Sequence, residues 1–457
     1  MRLFVLILAA GLGKRMKSSK PKVLQNLSNK PLIEHVLETL KKIDVDEIGV
    51  IYGHLAEQLK ETLTGEPITW IEQKKTQGTG DAVKSALPYL DKNDKVLILY
   101  GDVPLISSET LKRFITHVQS DQMGILTAKF NDPTGLGRII RDENDRVMRI
   151  VEEKDATQKE REINEINTGI YYLSADLLHK WLPKLTNDNA QGEYYLTDIV
   201  AMAQKDGIEI VTSQPYNHFE VIGVNSRIEL ANLERIWQRH QAELLMAQGV
   251  SLNDPNRIDI RGNVEIGHDT HIDVNVILEG NVQIGKQCII GANCILKNVE
   301  LDDYVIIKPN SMLEDAVVKS HAEIGPYARI RPGCMIDESA KIGNFVEIKK
   351  GLIGKGSKVN HLSYIGDAIL GNDVNIGAGV ITCNYDGVNK HQTIIEDNVF
   401  VGSDSQLVAP VKLGEGSYIG SGSTITKNTP NGKLTVNRSN RQITLDAWQR
   451  PKKENKK

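Results

Sequence analysis

Residues 3–10 read LFVLILAA, an unbroken apolar run that stops at Gly11. Apolar–polar alternation would mark a half-buried strand; a continuous run of about eight ending in glycine marks one buried on both faces, as in a parallel sheet. The apolar positions then change to helical spacing, with Ile33, Val36, Leu37 and Leu40 following Pro31. The same two patterns recur as EIGVIYG with a helix from Leu55 to Leu63, and as VLILYGD with a helix following Ser107 and Ser108. Strand–helix–strand alternation predicts a doubly wound, Rossmann-like α/β domain over residues 1–225, with ligands gathered beyond the carboxyl ends of its strands.

Residues 226–248 hold neither proline nor glycine and carry Ile228, Leu233, Ile236, Trp237 and Leu244 at spacings that suggest one apolar stripe. Gly249 supplies a stop, so 226–249 is expected to be a linker helix. Beyond it the period becomes six. Aliphatic residues recur in phase at Ile260, Ile266, Ile272, Leu278, Ile284, Ile290 and Leu296, again at Ile324, Ile330, Ile336 and Ile342, and from Val401 through Leu407, Leu413 and Ile419 to Ile425. Glycine follows many of them, as in Ile284–Gly285 and Ile290–Gly291. This period predicts a parallel β-helix of hexapeptide repeats over 250–457. Its phase breaks near 300–320 and near 383–395, where TCNYDGVNKHQT has the turn formers of a loop leaving the stack.

Length and composition narrow the classes. A chain of 457 residues has room for two or three domains. Its formal net charge of −4 gives no reason to expect nucleic acid as a partner. The opening apolar run is far shorter than the ~20 residues of a membrane span, and it lacks the pattern of a cleaved signal, so no membrane insertion is expected. Cys288, Cys294, Cys334 and Cys383 have no CxxC spacing. That argues against a zinc cage or a disulfide framework and for reduced thiols in the cytoplasm. The final RPKKENKK is expected to be a solvated end.

The opening loop cannot be a dinucleotide fingerprint, because GxGxxG would require glycine at Met16, and no Walker sequence is present. It remains a glycine-rich turn after a first strand, with Lys14, Arg15 and Lys22 nearby. Backbone amides backed by fixed cations suit a polyphosphate; a tight turn with solvated basic residues accounts for the same letters equally well. Asp102, ending VLILYGD, stands at the ligand edge of the sheet, where a helix cap or turn residue would also stand.

The string LAAGLGKRM…KPKVL resembles the signature of sugar-1-phosphate nucleotidyltransferases, and QGTGDAV (77–83), YGDVPL (100–105), GRI (137–139), VEEKDA (151–156) and EINTGIY (165–171) continue the likeness in order. Joined to hexapeptide repeats, the chain is similar to the bacterial family of bifunctional N-acetylglucosamine-1-phosphate uridylyltransferases/glucosamine-1-phosphate acetyltransferases, apart from its last dozen or so residues. The resemblance implies a left-handed β-helix, a homotrimer, UTP and sugar phosphates as substrates, Mg²⁺ as cofactor and acetyl-CoA as co-substrate. It implies Arg15 and Lys22 at the phosphates, the turn Leu8, Ala9, Ala10 and Gly11 around the nucleotide, and Asp102 with Asn225 on the metal. Tyr100 and Gly101, just before that carboxylate, fall to the UTP or UDP-sugar. Base recognition falls to Gln73, Gly78 and Thr79; an amide can meet the imide edge of uracil by accepting and donating at once. Gly137, Glu152 and Asn167 fall to the sugar.

In the second half the resemblance implies His361 as general base, a role that neutral imidazole suits. It puts Arg331, Lys349, Tyr364 and Asn375 at glucosamine 1-phosphate, and Ala378, Asn384, Tyr385, Ser403, Ser421 and Arg438 at acetyl-CoA. Ser421 stands where the family commonly has alanine, and Arg441 is an alternative to Arg438. The rival expectation is a single-activity sugar-1-phosphate nucleotidyltransferase whose β-helix regulates or oligomerises; NHLSYIGD and NIGAG speak against it.

Overall fold

The computed structural model describes residues 2–11, 13–53 and 56–437. They form two compact units, Met1–Ile236 and Trp237–Lys457.

In the first unit, Leu3–Leu8 is the central strand, paired in parallel with Glu47–Tyr52 on one side and Lys95–Tyr100 on the other. Its unbroken apolar run is explained by two cores. Phe4, Leu6 and Leu8 enter a cluster with Tyr171 and Trp181, whereas Val5 and Ile7 enter another with Ile33, Val36, Leu37 and Leu40 of the helix Leu32–Leu40. Successive side chains point to opposite faces, so a strand covered by helices on both sides has no polar position to spare. The helix expected after Leu55 is Ala56–Thr62, and Ser107 caps Ser108–His117 by accepting from the Thr110 amide at 3.1 Å. One strand reverses the sheet: Glu165–Ser174 runs antiparallel between Lys95–Tyr100 and Met123–Lys129. Apolar spacing carries no direction, so the reversal was invisible in the pattern.

The helix Arg227–Ala247 corrects the expected stripe. Ile228 is 75% exposed and Leu244 50%, while Leu233 in the first unit and Gln238, Ala242 and Leu245 in the second are each buried. At about 100° per residue the five expected positions fan over half the circumference. Gln238 is buried because its amide meets both polar groups of Ile260, donating to the carbonyl at 2.8 Å and accepting from the amide at 2.7 Å. No helix among the described residues is long and apolar enough to cross a membrane.

The second unit is a parallel β-helix. On one face Ile272, Ile290, Ile307, Ile324, Ile342, Val359, Ile376, Val401 and Ile419 succeed one another coil by coil, all buried. Asn275 and Asn293 donate to the next corner's Asn293 and Asn310 at 2.9 and 3.2 Å, a ladder in left-handed backbone that asparagine tolerates. The break near 300 is a one-residue shortening of the coil, between the pairs Glu279–Lys297 and Gln283–Glu300. The second break is a true excursion: Asn372 bonds a residue 25 positions ahead, and the surplus forms a loop closed by the bridge Tyr385–Lys390. Glycine after the aliphatic position answers to crowding. A Cβ on Gly285 would lie 2.6 Å from the Asp302 carbonyl carbon of the next coil. Gly285→Ala is accordingly expected to cost about 1–3 kcal/mol, read as a lowered midpoint in urea unfolding followed by circular dichroism.

Candidate active sites

Strand order reverses around Leu3–Leu8, and a cavity of about 570 Å³ opens beyond the carboxyl ends of that strand and of Lys95–Tyr100. Its wall brings together Leu8, Ala9, Ala10 and Gly11 with Lys22, Gln73, Gly78, Thr79, Tyr100, Asp102, Asn167 and Asn225. Gly101 lies under the wall, its amide donating to the Leu8 carbonyl at 3.0 Å. Gly137 borders it through its carbonyl, which accepts from the Asn167 amide at 2.8 Å. Glu152 is nearby: a Cβ on Gly137 would stand 3.5 Å from its Oε2. Burial pushes the Glu152 carboxyl up, against a hydrogen bond from Thr197 Oγ1 at 3.2 Å.

Arg15 is not in the wall. It sits in the single turn Lys14–Met16, where Met16 takes the buried position and Arg15 faces solvent, and Lys14 lines the cavity instead. The sequence placed both cations in one turn; which one turns inward depends on the side chain that anchors it. Thr76, Thr168, Glu193 and Gly223 also line the cavity. None belongs to a residue type that spacing singles out. Glu193 reaches the wall from a loop whose turn formers, Asn187, Asp188, Asn189 and Gly192, mark a bend and not a site.

The deepest polar feature is a convergence. Lys22 Nζ pairs with Asp102 Oδ2 and donates to Asn225 Oδ1 at 3.0 Å, across 203 positions of chain, with both charged side chains largely buried. Asn225 is held in turn by its amide, which donates to Glu229 Oε2 at 2.8 Å. Two oxygens thus share one cation. They are hard donors of the kind a divalent metal takes, and among the described residues no group of three or more His, Cys, Asp or Glu could cage an ion. An ion here would depend on phosphate oxygens for the rest of its shell.

Gln73 is buried, and its Nε2 donates to Asp81 Oδ2 at 2.8 Å and to the Gly78 carbonyl at 3.2 Å. Both donors are spent inside the protein, which corrects the expectation of two-way pairing: only Oε1 is left to meet a ligand. Gly78 has φ +112°, and a Cβ there would stand 2.5 Å from the Tyr194 carbonyl oxygen. No other residue fits that turn.

The second site follows the coil spacing. Asn344 and His361 are register partners, and the corner amides that donate back one coil continue the line to Ala378, Ser403 and Ser421. At about 4.8 Å per coil these positions form a track roughly 19 Å long, parallel to the stack. At its foot, His361 Nδ1 lies 3.0 Å from Asn344 Oδ1. A carbonyl oxygen only accepts, so Nδ1 is the donor, and in the neutral imidazole it is Nε2 that has the lone pair. Around the next corner Arg331 and Lys349 continue the pairing of Arg329–Ile330 with Glu347–Ile348, and Glu347 fixes Arg331 at 2.8 Å. Tyr364 is the register partner of Glu347, one coil on. Asn375 stands one coil beyond Lys358, on the face that carries His361.

The loop after Cys383 is pinned at both ends. Asn384 Nδ2 donates to Asp367, and Asp386 accepts from the Asn389 amide, from His391 and from the Val388 amide, which hold its carboxyl down to about 2. Tyr385 is exposed on it. Sequence reasoning missed Asn344 and Glu347, because their signal is a partner one coil away rather than a neighbour in the chain. Arg438 and Arg441 lie outside the described residues.

Residues 5–166 match the family model of the MobA-like NTP transferase domain, and 256–332 and 312–412 match that of the GMPPB C-terminal domain. Along its length the chain is similar to the bifunctional protein GlmU of Francisella philomiragia, at 55% identity over 99% of this chain and 100% of that one. It is 55% identical to the GlmU of Francisella tularensis subsp. novicida over 100% of both. With the GlmU of Nitrosospira multiformis it shares 53% identity over 100% of this chain and 99% of the other.

Proposed function

This chain belongs to the family of the bifunctional protein GlmU, and from that premise we propose how its two sites divide the work. The enzyme acetylates glucosamine 1-phosphate with acetyl-CoA and then transfers UMP from UTP to N-acetylglucosamine 1-phosphate, releasing pyrophosphate. Relatives matched over their full length are bifunctional, which removes the single-activity rival.

In the first site a sugar phosphate oxygen attacks the α-phosphorus of UTP. Both reactants are anionic, so the barrier is dominated by charge and positioning. Lys22 supplies the fixed cation, and the loop from Leu8 to Gly11 supplies close backbone approach. Mg²⁺ held by Asp102 and Asn225 would draw charge from the triphosphate. Gln73 accepts from the base, while Gly78 and Thr79 shape its slot. Asn167, Gly137 and Glu152 surround the sugar, and Arg15, solvent-facing in the absence of nucleotide, is the second cation for the phosphates. The observation that carries this reading is the meeting of Asp102 and Asn225 at Lys22 Nζ.

In the second site the amine attacks the thioester carbonyl. His361 Nε2 takes the proton as the C–N bond forms, and the imidazolium returns it to the departing sulfur as the C–S bond breaks. Arg331 and Lys349 grip the sugar phosphate, with Tyr364 and Asn375 orienting the ring. Acetyl-CoA lies along the track of Ala378, Ser403 and Ser421 against Asn384 and Tyr385.

Tyr327, Phe345 and Leu362 stand 52%, 56% and 63% exposed on successive corners beside His361, with the two rings stacked at 5.3 Å. Such a stripe suits a second copy of the chain, and it supports a homotrimer, which a solution mass would test. Four free cysteines support a reducing, cytoplasmic setting. The reaction scheme is tested by one coupled assay with glucosamine 1-phosphate, acetyl-CoA and UTP. Omitting acetyl-CoA is expected to abolish UDP-N-acetylglucosamine, and adding N-acetylglucosamine 1-phosphate to restore it.

A further inference from the structure

An amide side chain has a donating end and an accepting end of nearly equal shape, and its own geometry does not decide which one a ligand meets. At Gln73 the surroundings decide. Its Nε2 faces Asp81 Oδ2 at 2.8 Å and the Gly78 carbonyl at 3.2 Å. A carboxylate and a carbonyl only accept, so turning the amide over would set Oε1 against two oxygens. Gln73 is also buried, which makes an unpaired group there costly. Asp81 lies on the short helix Thr79–Lys84 and is absent from the wall of the nucleotide cavity; it lines a separate small pocket behind it, with Gln77, Lys84 and Tyr194.

We propose that Asp81 is a positioning residue that sets nucleotide specificity through Gln73, fixing its carbonyl oxygen toward the base so that the site takes pyrimidines bearing a ring N3–H and rejects cytosine. Uracil presents that N–H to the waiting oxygen. Cytosine presents a bare ring nitrogen, and two lone pairs would face each other beside a buried side chain. The inference rests on Gln73 being the residue that meets the base, and the experiment separates the two claims.

The measurement is kcat/KM for UTP and for CTP, with N-acetylglucosamine 1-phosphate as acceptor, on the full-length enzyme. Asp81→Asn keeps the size but adds a donor, so the nearer of the two oxygens that oppose a turned-over Gln73 amide no longer does and the flipped orientation becomes populated. The UTP:CTP ratio is expected to fall by roughly tenfold or more, the scale of one misdirected buried hydrogen bond. Asp81→Ala removes the acceptor and is expected to move the ratio the same way, and Gln73→Ala calibrates the loss when the reading side chain is gone. A fall in the ratio in all three variants supports the proposal. A fall in Gln73→Ala alone overturns the role of Asp81 and leaves Gln73 as the base reader. An unmoved ratio in Gln73→Ala removes the premise and the proposal together. Equal losses toward both nucleotides in the Asp81 variants reduce Asp81 to a structural part and overturn the proposal.

Discussion

Asp102→Asn is expected to slow uridylyl transfer by roughly 10²–10³-fold, the scale of losing one preorganised electrostatic group, while acetyl transfer continues unchanged. The substitution keeps the shape of the side chain and removes only its charge. Asp102 lies in the turn just beyond the buried strand Lys95–Tyr100, and its carboxylate is one of two oxygens converging on Lys22 Nζ. Without that charge a metal loses its anionic ligand, and Lys22 loses the partner that orients it while the triphosphate is absent. Separate assays of the two half-reactions on one preparation check this. The residues proposed for acetyl transfer lie in a unit with its own core, so loss of both activities in folded protein would contradict the assignment.

His361→Ala reverses the pattern. Removing a general base typically costs 10²–10⁴-fold, and acetyl transfer is expected to fall by about 10³-fold with uridylyl transfer intact. Asn344→Ala offers a graded companion: the imidazole stays, but the hydrogen bond at 3.0 Å that fixes its tautomer is gone. A loss of about tenfold in kcat with KM for acetyl-CoA unchanged is expected, in line with the cost of one hydrogen bond. A change in KM with kcat preserved would show that Asn344 serves binding instead.

Much of this was legible because periodicity is a direct print of burial. The run Leu3–Leu8 announced a two-sided strand, and every aliphatic residue named in the six-residue phase is buried. The reversed strand Glu165–Ser174 was not legible, since apolar spacing is the same in both directions. The exposed Ile228 and Leu244 misled for the opposite reason: a helix with few buried positions is held by what it touches, and there a buried Gln238 outranks an apolar residue. The sites divide similarly. Gln73 and His361 could be named from motifs, but the partners that hold their side chains, Asp81 and Asn344, mean nothing until the chain has folded back on itself.

The second unit gains its solidity from neighbours alone, each coil leaning on the one before and the one after. Fraying therefore has a direction. Melting that begins at the end beyond Ser421 would erase the donor's track from the top downward, while the imidazole at its foot stayed in place. On the proposed division of labour, melting from that end takes the grip on acetyl-CoA first and the capacity for proton transfer last.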